Sequence, residues 1–288
     1  MKRGFLFLAC LVLLFSSGCK VMTGPEGSDF QASCVKSEQF GATRLDFPVG
    51  RRKGFVMVPA RPRADGTKPW VWLAPTFIGH ENPRIEVPRD DHEWMCRKFL
   101  ENGVYVCGVD VGESYGNVRG RRFYSRFHEL VVREFGLSEK ACLLGVSRGG
   151  LMVFNWAAEN PQCVQCIGGI YPLVNLEDYL DKPWMAKAYG RSVEQFKVSF
   201  HDHNPIDRLW ALAKADVPVL HLNGDADEAV VLEKNSGELV RRYAILGGRA
   251  EVIVIKGKGH EVCPEFFRNQ QLVDFLVSGG RDMPSGSH

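Results

Sequence analysis

An excess of charge of either sign is missing from this sequence of 288 residues, in which 36 Lys and Arg stand against 34 Asp and Glu. Proteins that bind nucleic acid usually carry a clear basic excess, so the composition argues against a nucleic-acid partner. Long hydrophobic stretches are scarce as well, and a mean hydropathy of -0.15 excludes a polytopic membrane protein. We find no internal repeat and no low-complexity tract. Since 45% of the residues are hydrophobic, the chain can bury a core, which leaves a globular enzyme or a binding module.

The N-terminus has the pattern of a secretory signal. A basic pair at residues 2–3 precedes an apolar run over residues 4–15, which is too short to span a bilayer. Gly18-Cys19 resembles the end of a bacterial lipobox, in which the cysteine is lipidated and becomes the new N-terminus, although Ser16 stands where such motifs usually have leucine. We therefore expect export to the periplasm or the outer surface, with the membrane contacted only through a lipid on Cys19.

Removal of residues 1–18 as a signal peptide takes away two positive charges and no negative ones. Because the net charge of the whole chain is +2, the mature chain is formally neutral. This further argues against a polyanionic partner. A plain cleaved signal, with Cys19 merely near the cut, is the alternative to lipidation.

Seven cysteines follow Cys19, an odd number that cannot pair completely within one chain. Several lie in apolar runs typical of buried strands, where a thiol behaves as a small hydrophobe. Cys163 and Cys166 have the spacing of a redox or zinc site, but no second pair of Cys or His residues stands at metal-ligand distance. We therefore expect no metal and no cofactor, while the sequence leaves one or two disulfides open.

The order of short apolar runs predicts an α/β domain over residues 38–279. An opening hairpin, formed by residues 42–48 and 54–59, precedes a regular alternation of strands and helices. This alternation favours a mostly parallel central sheet of about eight strands with helices on both faces. Residues 172–204 interrupt it after the sixth strand, and we expect a short cap-like insertion above the sheet edge where ligands bind in such folds. The flanking segments look like a tether over residues 19–37 and a polar tail over residues 280–288.

Gly145-Val-Ser147-Arg-Gly149 is the most informative run in the chain. It follows the apolar strand that starts at Ala141 and precedes a helix, so the G-x-S-x-G pattern places the serine on a sharp strand-to-helix turn. There the hydroxyl is exposed above the sheet edge, and the N-terminus of the helix points at any oxyanion formed beside it. The pattern predicts Ser147 as a nucleophile, and a glycine-rich turn with an N-capping serine is the alternative.

A serine hydroxyl is a poor nucleophile unless a base removes its proton. In this architecture an acid and then a histidine follow the serine, each on a loop after a later strand. The last predicted strand, residues 250–255, runs into Gly259-His260, and we predict His260 as the general base. The strand before it runs into Asp225-Ala-Asp227, and spacing alone does not decide which of the two carboxylates orients His260.

The segment Gly224-Asp-Ala-Asp227 resembles the G-D-x-D-x-x-V motif of prolyl-oligopeptidase-like and esterase α/β-hydrolases, in which the second aspartate is the acid. By this resemblance Asp227 is the acid and Asp225 caps the turn. The runs Ser147-Arg-Gly-Gly-Leu and Asn204-Pro-Ile are similar to those of exported bacterial members of the superfamily. The resemblance extends from about residue 40 to residue 277. It implies an α/β-hydrolase fold and a serine hydrolase that forms an acyl-enzyme without a cofactor.

An oxyanion hole needs backbone N–H groups. The first is expected from Arg148, directly after the nucleophile. The second should follow the third predicted strand, where the family usually has His-Gly and this chain has Ala74-Pro75. Because proline has no N–H, we expect Thr76 or Phe77 to be this donor.

Four residues are candidates for the substrate pocket: Tyr115, Tyr179, Trp184 and His201. Aromatic side chains beside polar ones are typical of surfaces that bind sugars, but Tyr179 and Trp184 can equally anchor the insertion to the domain. True prolyl oligopeptidases carry a large propeller domain, for which 288 residues leave no room. We therefore expect the insertion alone to control access to the site.

These observations favour an exported serine esterase that removes a small acyl group, for example from an acetylated carbohydrate. Its substrate is then a small-molecule or oligosaccharide ester, and its oligomeric state stays open. A peptidase that uses the same three residues is the first alternative. A binding protein that keeps the fold without turnover is the second, although such a protein has no need to retain Ser147, Asp227 and His260 in the expected order.

Overall fold

The structure, a computed structural model, describes residues 27–78 and 85–283. Its strands are β1 (Val35–Gln39), β2 (Ala42–Val49), β3 (Arg52–Val58), β4 (Trp70–Ala74), β5 (Phe77–Ile78), β6 (Ile85–Glu86), β7 (Tyr105–Val109), β8 (Ala141–Val146), β9 (Val164–Ile170), β10 (Val219–Gly224) and β11 (Ala250–Ile255). Its α-helices are α1 (Gly27–Ala32), α2 (Glu93–Glu101), α3 (Val118–Phe135), α4 (Gly149–Glu159), α5 (Pro183–Ala188), α6 (Val193–Ser199), α7 (Trp210–Lys214), α8 (Glu238–Ile245), α9 (Pro264–Phe267) and α10 (Gln270–Val277).

Nine of these strands form one sheet in the order β1-β2-β3-β7-β4-β8-β9-β10-β11, while β5 and β6 form a separate small hairpin. The pairs from β1 to β7 are antiparallel, and the pairs from β7 to β11 are parallel. The prediction of a mostly parallel sheet behind an antiparallel opening is confirmed, with nine strands in place of about eight. Because the parallel strands end at one edge, the loops after β8, β10 and β11 meet there.

The ninth strand, β1, begins in the segment over residues 19–37 that the sequence predicts as a tether. Four of its five residues are exposed, and it joins β2 through backbone pairing that sets Val35 opposite Asp46. An edge strand that is exposed on both faces carries no alternation of apolar and polar residues, which is why its sequence resembles a linker. In α1, Phe30 packs edge-on against Phe47 and Phe135. Residues 27–37 therefore belong to the folded domain, in contrast to the prediction.

Alternate residues of β4 divide the core into two layers. Trp70 and Trp72 face the layer covered by α3 and α4, where the ring of Trp72 lies 4.9 Å from that of Trp156. Val71 and Leu73 face the opposite layer, which is covered by α2 and α10. All four residues are buried. A strand that is apolar on both faces is typical of a sheet with helices on both sides.

The insertion over residues 172–204 folds around a small core of its own. Met185 of α5 and Phe196 of α6 are fully buried in it, and Phe200 is nearly so. The same cluster includes Leu151 of α4. The insertion is therefore packed against the helix that follows the predicted nucleophile.

Three stretches of the chain each contain two consecutive helical segments: 205–215, 232–246 and 264–277. In the second, a π-helical segment at Glu233–Gly237 precedes α8. It turns Asn235 and Ser236 inward, and the side-chain oxygen of Asn235 accepts hydrogen bonds from the N–H groups of Val174 and Asn175. Tertiary hydrogen bonds of this kind are not visible in a local pattern of apolar residues.

Residues 27–78 and 85–283 contain no helix that is long and apolar enough to cross a bilayer. They also contain no cluster of three or more His, Cys, Asp or Glu side chains placed to hold a metal ion. The seven cysteines after Cys19 are all free thiols, so no disulfide forms among them in the structure. The predicted signal peptide and Cys19 itself lie outside the described residues.

Candidate active site

Ser147 occupies the turn between β8 and α4, with a left-handed φ of 53°. Its N–H donates a hydrogen bond of 3.0 Å to the carbonyl oxygen of Ile170, and its own carbonyl accepts one of 2.8 Å from Leu173. These bonds hold a backbone conformation that residues with a side chain rarely adopt. The strand-to-helix turn predicted from the G-x-S-x-G pattern is thus present.

The turn brings α4 close to the neighbouring strands. A methyl group on residue 149 would lie 2.1 Å from the carbonyl oxygen of Ala74, and one on residue 150 would lie 2.6 Å from that of Leu173. Both distances are far inside van der Waals contact with backbone atoms, which cannot move aside as a side chain can. Only glycine therefore fits at positions 149 and 150, because the backbone at Ala74 and Leu173 approaches them so closely.

Ser147, His260 and Asp227 lie in one line of hydrogen bonds. The hydroxyl oxygen of Ser147 is 2.8 Å from Nε2 of His260, and Nδ1 of His260 is 2.8 Å from Oδ2 of Asp227. The Asp227 side chain is fully buried, whereas that of His260 is 26% exposed. The second carboxylate oxygen, Oδ1, accepts hydrogen bonds from the N–H groups of Ala229 and Val230 at 2.9 and 2.8 Å. The carboxylate is therefore held on both oxygens and presents one of them to the imidazole.

Asp225 has a different position from Asp227. Its Oδ1 accepts a hydrogen bond of 2.6 Å from the N–H of Gly257, so it ties the loop after β10 to the loop after β11. Asp225 is exposed to solvent. The geometry therefore sets Asp227, and not Asp225, against His260.

The imidazole of His260 packs on Tyr171, the residue that follows β9. The two ring centroids are 4.3 Å apart, and the tyrosine ring meets Phe266 on its other side. Burial raises the pKa of the Tyr171 phenol, so it stays neutral over the ordinary pH range. Tyr171 thus gives His260 an uncharged aromatic support.

A buried polar network lies beneath the loop that carries Asp227. Nδ1 of His221 is 3.0 Å from the hydroxyl of Ser236, which donates to the side-chain oxygen of Asn223 at 2.8 Å. The amide nitrogen of Asn223 donates in turn to the carbonyl of Val230 at 3.3 Å. Burial lowers the pKa of His221 to about 3, so this histidine is neutral. The network contributes no charge and fixes the turn that binds Asp227.

The predicted oxyanion donors follow two different strands: Arg148 comes after β8, and Thr76 and Phe77 come after β4. Arg148 directly precedes α4, as expected. The N–H of Val87 donates to the carbonyl of Thr76 at 2.8 Å, so Phe77 and Glu86 form the next pair of the β5–β6 hairpin. Hydrogen-bonded and non-bonded pairs alternate in an antiparallel ladder, and the N–H of Phe77 therefore points away from β6. The N–H of Phe77 is therefore better placed than that of Thr76 to donate a hydrogen bond to an oxyanion.

A cavity of about 190 Å³ opens beside Ser147. Its apolar walls are Leu73, Ala74, Pro75, Val87, Val146, Val262 and Phe267. Its polar lining consists of Ser147, His260, Tyr171, Arg89, Asp91, His92 and Arg148. His92 is buried against Phe267, and burial lowers its pKa to about 4, so it is neutral at neutral pH.

Sequence reasoning missed the part of this cavity that residues 85–92 contribute. The charged run Arg89-Asp-Asp-His92 directly precedes α2 and follows the predicted oxyanion segment in the sequence. Its closeness to that segment was the signal that could have indicated a place in the site. The four predicted pocket residues, Tyr115, Tyr179, Trp184 and His201, do not line the cavity.

Three of those four residues form a separate aromatic cluster. The ring of Trp184 lies 5.4 Å from that of Tyr115 and 5.9 Å from that of Tyr179. The Tyr179 hydroxyl donates to the carbonyl of Ala229, next to the backbone that binds Asp227. Trp184 is 47% exposed, so the cluster both anchors the insertion and offers an aromatic face to solvent. His201 is not part of it, because its Nδ1 pairs with Asp207 at 2.6 Å.

The side chain of Arg148 pairs with a buried carboxylate. Nε and Nη2 of Arg148 donate to the two oxygens of Glu113 at 2.7 and 2.9 Å. The Glu113 side chain is only 3% exposed, and that of Arg148 is 26% exposed. The parallel pair of bonds fixes the plane of the guanidinium beside Ser147.

The sequence profile of the prolyl oligopeptidase family matches residues 113–277. A comparison with curated protein sequences finds no significant match. Among solved structures, the chain is similar to a puromycin-hydrolysing peptidase of Mycobacterium tuberculosis, with 15% identity, a TM-score of 0.64, and coverage of 87% of this chain and 41% of that one.

Two other solved structures are similar along nearly their whole length. One is an S-formylglutathione hydrolase of Agrobacterium tumefaciens, with 18% identity, a TM-score of 0.62, and coverage of 86% of this chain and 98% of that one. The other is Est1E of Butyrivibrio proteoclasticus, with 14% identity, a TM-score of 0.59, and coverage of 85% and 98%. The chain spans only 35–41% of the length of the first peptidases that it matches. These similarities confirm the α/β-hydrolase fold.

We predict that Gly149→Ala destabilises the protein by about 3 kcal/mol, because the new methyl group meets the carbonyl of Ala74. Gly259→Ala is the matched control, since the nearest atom to its methyl group is 3.4 Å away. The free energy of unfolding in urea measures both. Equal stabilities of the two variants would contradict the close approach of α4 to β4.

Proposed function

Since the chain belongs to the prolyl oligopeptidase family of serine hydrolases, we propose that it is an esterase that works through Ser147, His260 and Asp227. The observation that carries this proposal is the line of two 2.8 Å hydrogen bonds from the serine hydroxyl through the imidazole to the buried carboxylate. That arrangement supplies a nucleophile, a base within reach of its proton, and a group that orients the base.

The reaction follows from these positions. Nε2 of His260 accepts the proton of Ser147 as Oγ attacks the ester carbonyl, and Asp227 stabilises the imidazolium that forms. The backbone N–H of Arg148, together with that of Phe77 or Thr76, donates to the oxyanion. His260 then gives the proton to the departing alcohol, which leaves an acyl-enzyme. Water repeats the same proton transfers and releases the acid.

The size and the lining of the cavity beside Ser147 suit a substrate with a small acyl group. Its volume of about 190 Å³ and its walls of Leu73, Val146 and Phe267 suit a chain of a few carbon atoms. A carbohydrate as the alcohol is supported by the exposed face of Trp184 beside Tyr115, on which a sugar ring can stack. We propose a short-chain ester, such as an acetylated sugar, as the substrate.

A peptidase is the second candidate. The family profile and the puromycin-hydrolysing peptidase support it, because both place this fold among enzymes that cleave amide bonds. The same three residues serve either reaction. The two candidates differ in the leaving group that the site accepts.

A panel of substrates separates them. We expect kcat/KM to be highest for 4-nitrophenyl acetate, butyrate and acetylated xylo-oligosaccharides, and to fall for acyl chains longer than the cavity. Amino-acid 4-nitroanilides should turn over poorly, and Ser147→Ala should abolish all turnover. Faster cleavage of the anilides than of the esters would favour the peptidase and overturn the esterase.

Asp225 and Asp227, which both lie on the loop after β10, provide a matched pair of variants. Asp227→Asn should lower kcat by at least about 1,000-fold, because the imidazolium loses its stabilising carboxylate and the tautomer is wrong. Asp225→Asn should cost less than about tenfold, because this residue only ties two loops together. Steady-state hydrolysis of 4-nitrophenyl acetate measures both variants, and the reverse order would assign the acid to Asp225.

We also propose that the protein is exported and held at the membrane by a lipid on Cys19. The basic pair, the apolar run and Gly18-Cys19 of the sequence support this proposal. The full-length chain expressed in a bacterium should incorporate radiolabelled palmitate, and Cys19→Ala should not. Equal labelling of both, or none in either, contradicts the lipid anchor.

A further inference from the structure

Two arginine side chains line the same cavity as Ser147, and we propose that together they bind a carboxylate carried by the substrate. The proposal rests on the proposed function and narrows its substrate class. It concerns esters whose acid part or alcohol part bears a carboxylate within a few atoms of the scissile carbonyl. Half-esters of dicarboxylic acids and acyl esters of hydroxy acids belong to this class.

Arg148 is the better positioned of the two. The bonds from Nε and Nη2 to Glu113 occupy one edge of its planar guanidinium and fix its orientation. Nη1 donates to none of the described residues, and Arg148 is one of the residues that line the cavity. A guanidinium held by a buried carboxylate on one edge can present its remaining N–H groups to an oxygen of the substrate without first being ordered.

Arg89 lies in the same wall and is also held by an acid. Its Nε and Nη2 both reach Oδ2 of Asp91, at 2.6 and 2.5 Å. The side chain is 43% exposed, and its Nη1 donates to none of the residues that the structure describes. Arg89 therefore supplies a second cation to the cavity from the loop before α2.

The N–H groups left over on the two arginines, and no excess of positive charge, favour an anion in the cavity. Among the described residues the lining holds the cations Arg89 and Arg148 and the anion Asp91, and Glu113, which pairs with Arg148 from outside the lining, balances the second cation. His92 adds no charge at neutral pH. With apolar walls around them, the arginine N–H groups interact with a carboxylate in surroundings that screen less than bulk water.

Matched substrates test this proposal on either side of the ester bond. On the acyl side, 4-nitrophenyl hydrogen succinate is compared with 4-nitrophenyl levulinate, in which a methyl ketone replaces the carboxylate at the same chain length. On the alcohol side, 4-acetoxybenzoate is compared with 4-acetoxybenzamide. The readout is the ratio of kcat/KM for the charged and the neutral member of each pair.

We expect the wild type to favour the charged member of one pair. Arg148→Gln should lower that ratio by about 10- to 100-fold, the usual contribution of a hydrogen bond to a charged group, and Arg89→Gln should lower it less. Glu113→Gln should also lower it, because Arg148 then keeps its charge and loses its fixed orientation. Arg133→Gln is the matched control, since this arginine is 69% exposed and, among the residues that the structure describes, forms its ion pair with its neighbour Glu134 alone.

An unchanged ratio in Arg148→Gln, or a ratio that changes equally in Arg133→Gln, overturns the proposal. Inhibition of the wild type needs no variant: benzoate should inhibit hydrolysis of 4-nitrophenyl acetate at least about tenfold more strongly than benzamide. Equal inhibition by the two compounds also overturns it. If neither the charged nor the neutral member of any pair is hydrolysed, the proposed function fails first, and that result is distinct from loss of the charge preference.

Discussion

The turn between β8 and α4 is the constraint on which the rest of the site depends. It forces Ser147 into a left-handed conformation and presses α4 so close to β4 that only hydrogen fits at position 149. Such strain persists only when the surrounding structure over-determines it. Here the hydrogen bonds from Ser147 to Ile170 and from Leu173 to Ser147 do so, and both partners belong to β9 or to the chain that follows it. The position of the hydroxyl is thus set by the packing of three adjacent strands.

Asp227 and His260, the proposed acid and base, are placed by a different kind of interaction. Asp227 is held by two backbone N–H groups, and the loop around it by a neutral network that reaches from Asn223 to His221 inside the fold. Each buried polar group in that chain is a donor or acceptor for the next, which rigidifies the loop. His260, in contrast, is supported mainly by the ring of Tyr171 and by its two hydrogen-bond partners. A rigidly held carboxylate beside a more lightly held imidazole suits a histidine that passes a proton through Nε2 from Ser147 to the leaving group, as proposed above.

Local patterns were sufficient for the parts of the site that depend on local structure. The turn at Ser147 and the loop position of His260 follow from a strand, a glycine and a polar residue in sequence, and the structure has both. The choice between Asp225 and Asp227 needed a family resemblance, because two carboxylates two residues apart differ only in what they meet in space.

The strand β1 escaped detection because an exposed edge strand needs no apolar alternation. The cavity escaped detection because its walls come from residues 73–75, 87–92, 146–148, 171 and 260–267, which no local pattern joins. The aromatic residues of the insertion were more visible in the sequence, yet they form a neighbouring cluster and not the wall beside Ser147.

We propose that Ser147 is a nucleophile activated by His260, and mass spectrometry of the folded protein after treatment with a fluorophosphonate tests this role. We predict one phosphonyl adduct per chain, located on Ser147, absent in Ser147→Ala and strongly slowed in His260→Ala. Absence of an adduct on Ser147 in the folded wild-type protein, or labelling that is equally fast without His260, would contradict it.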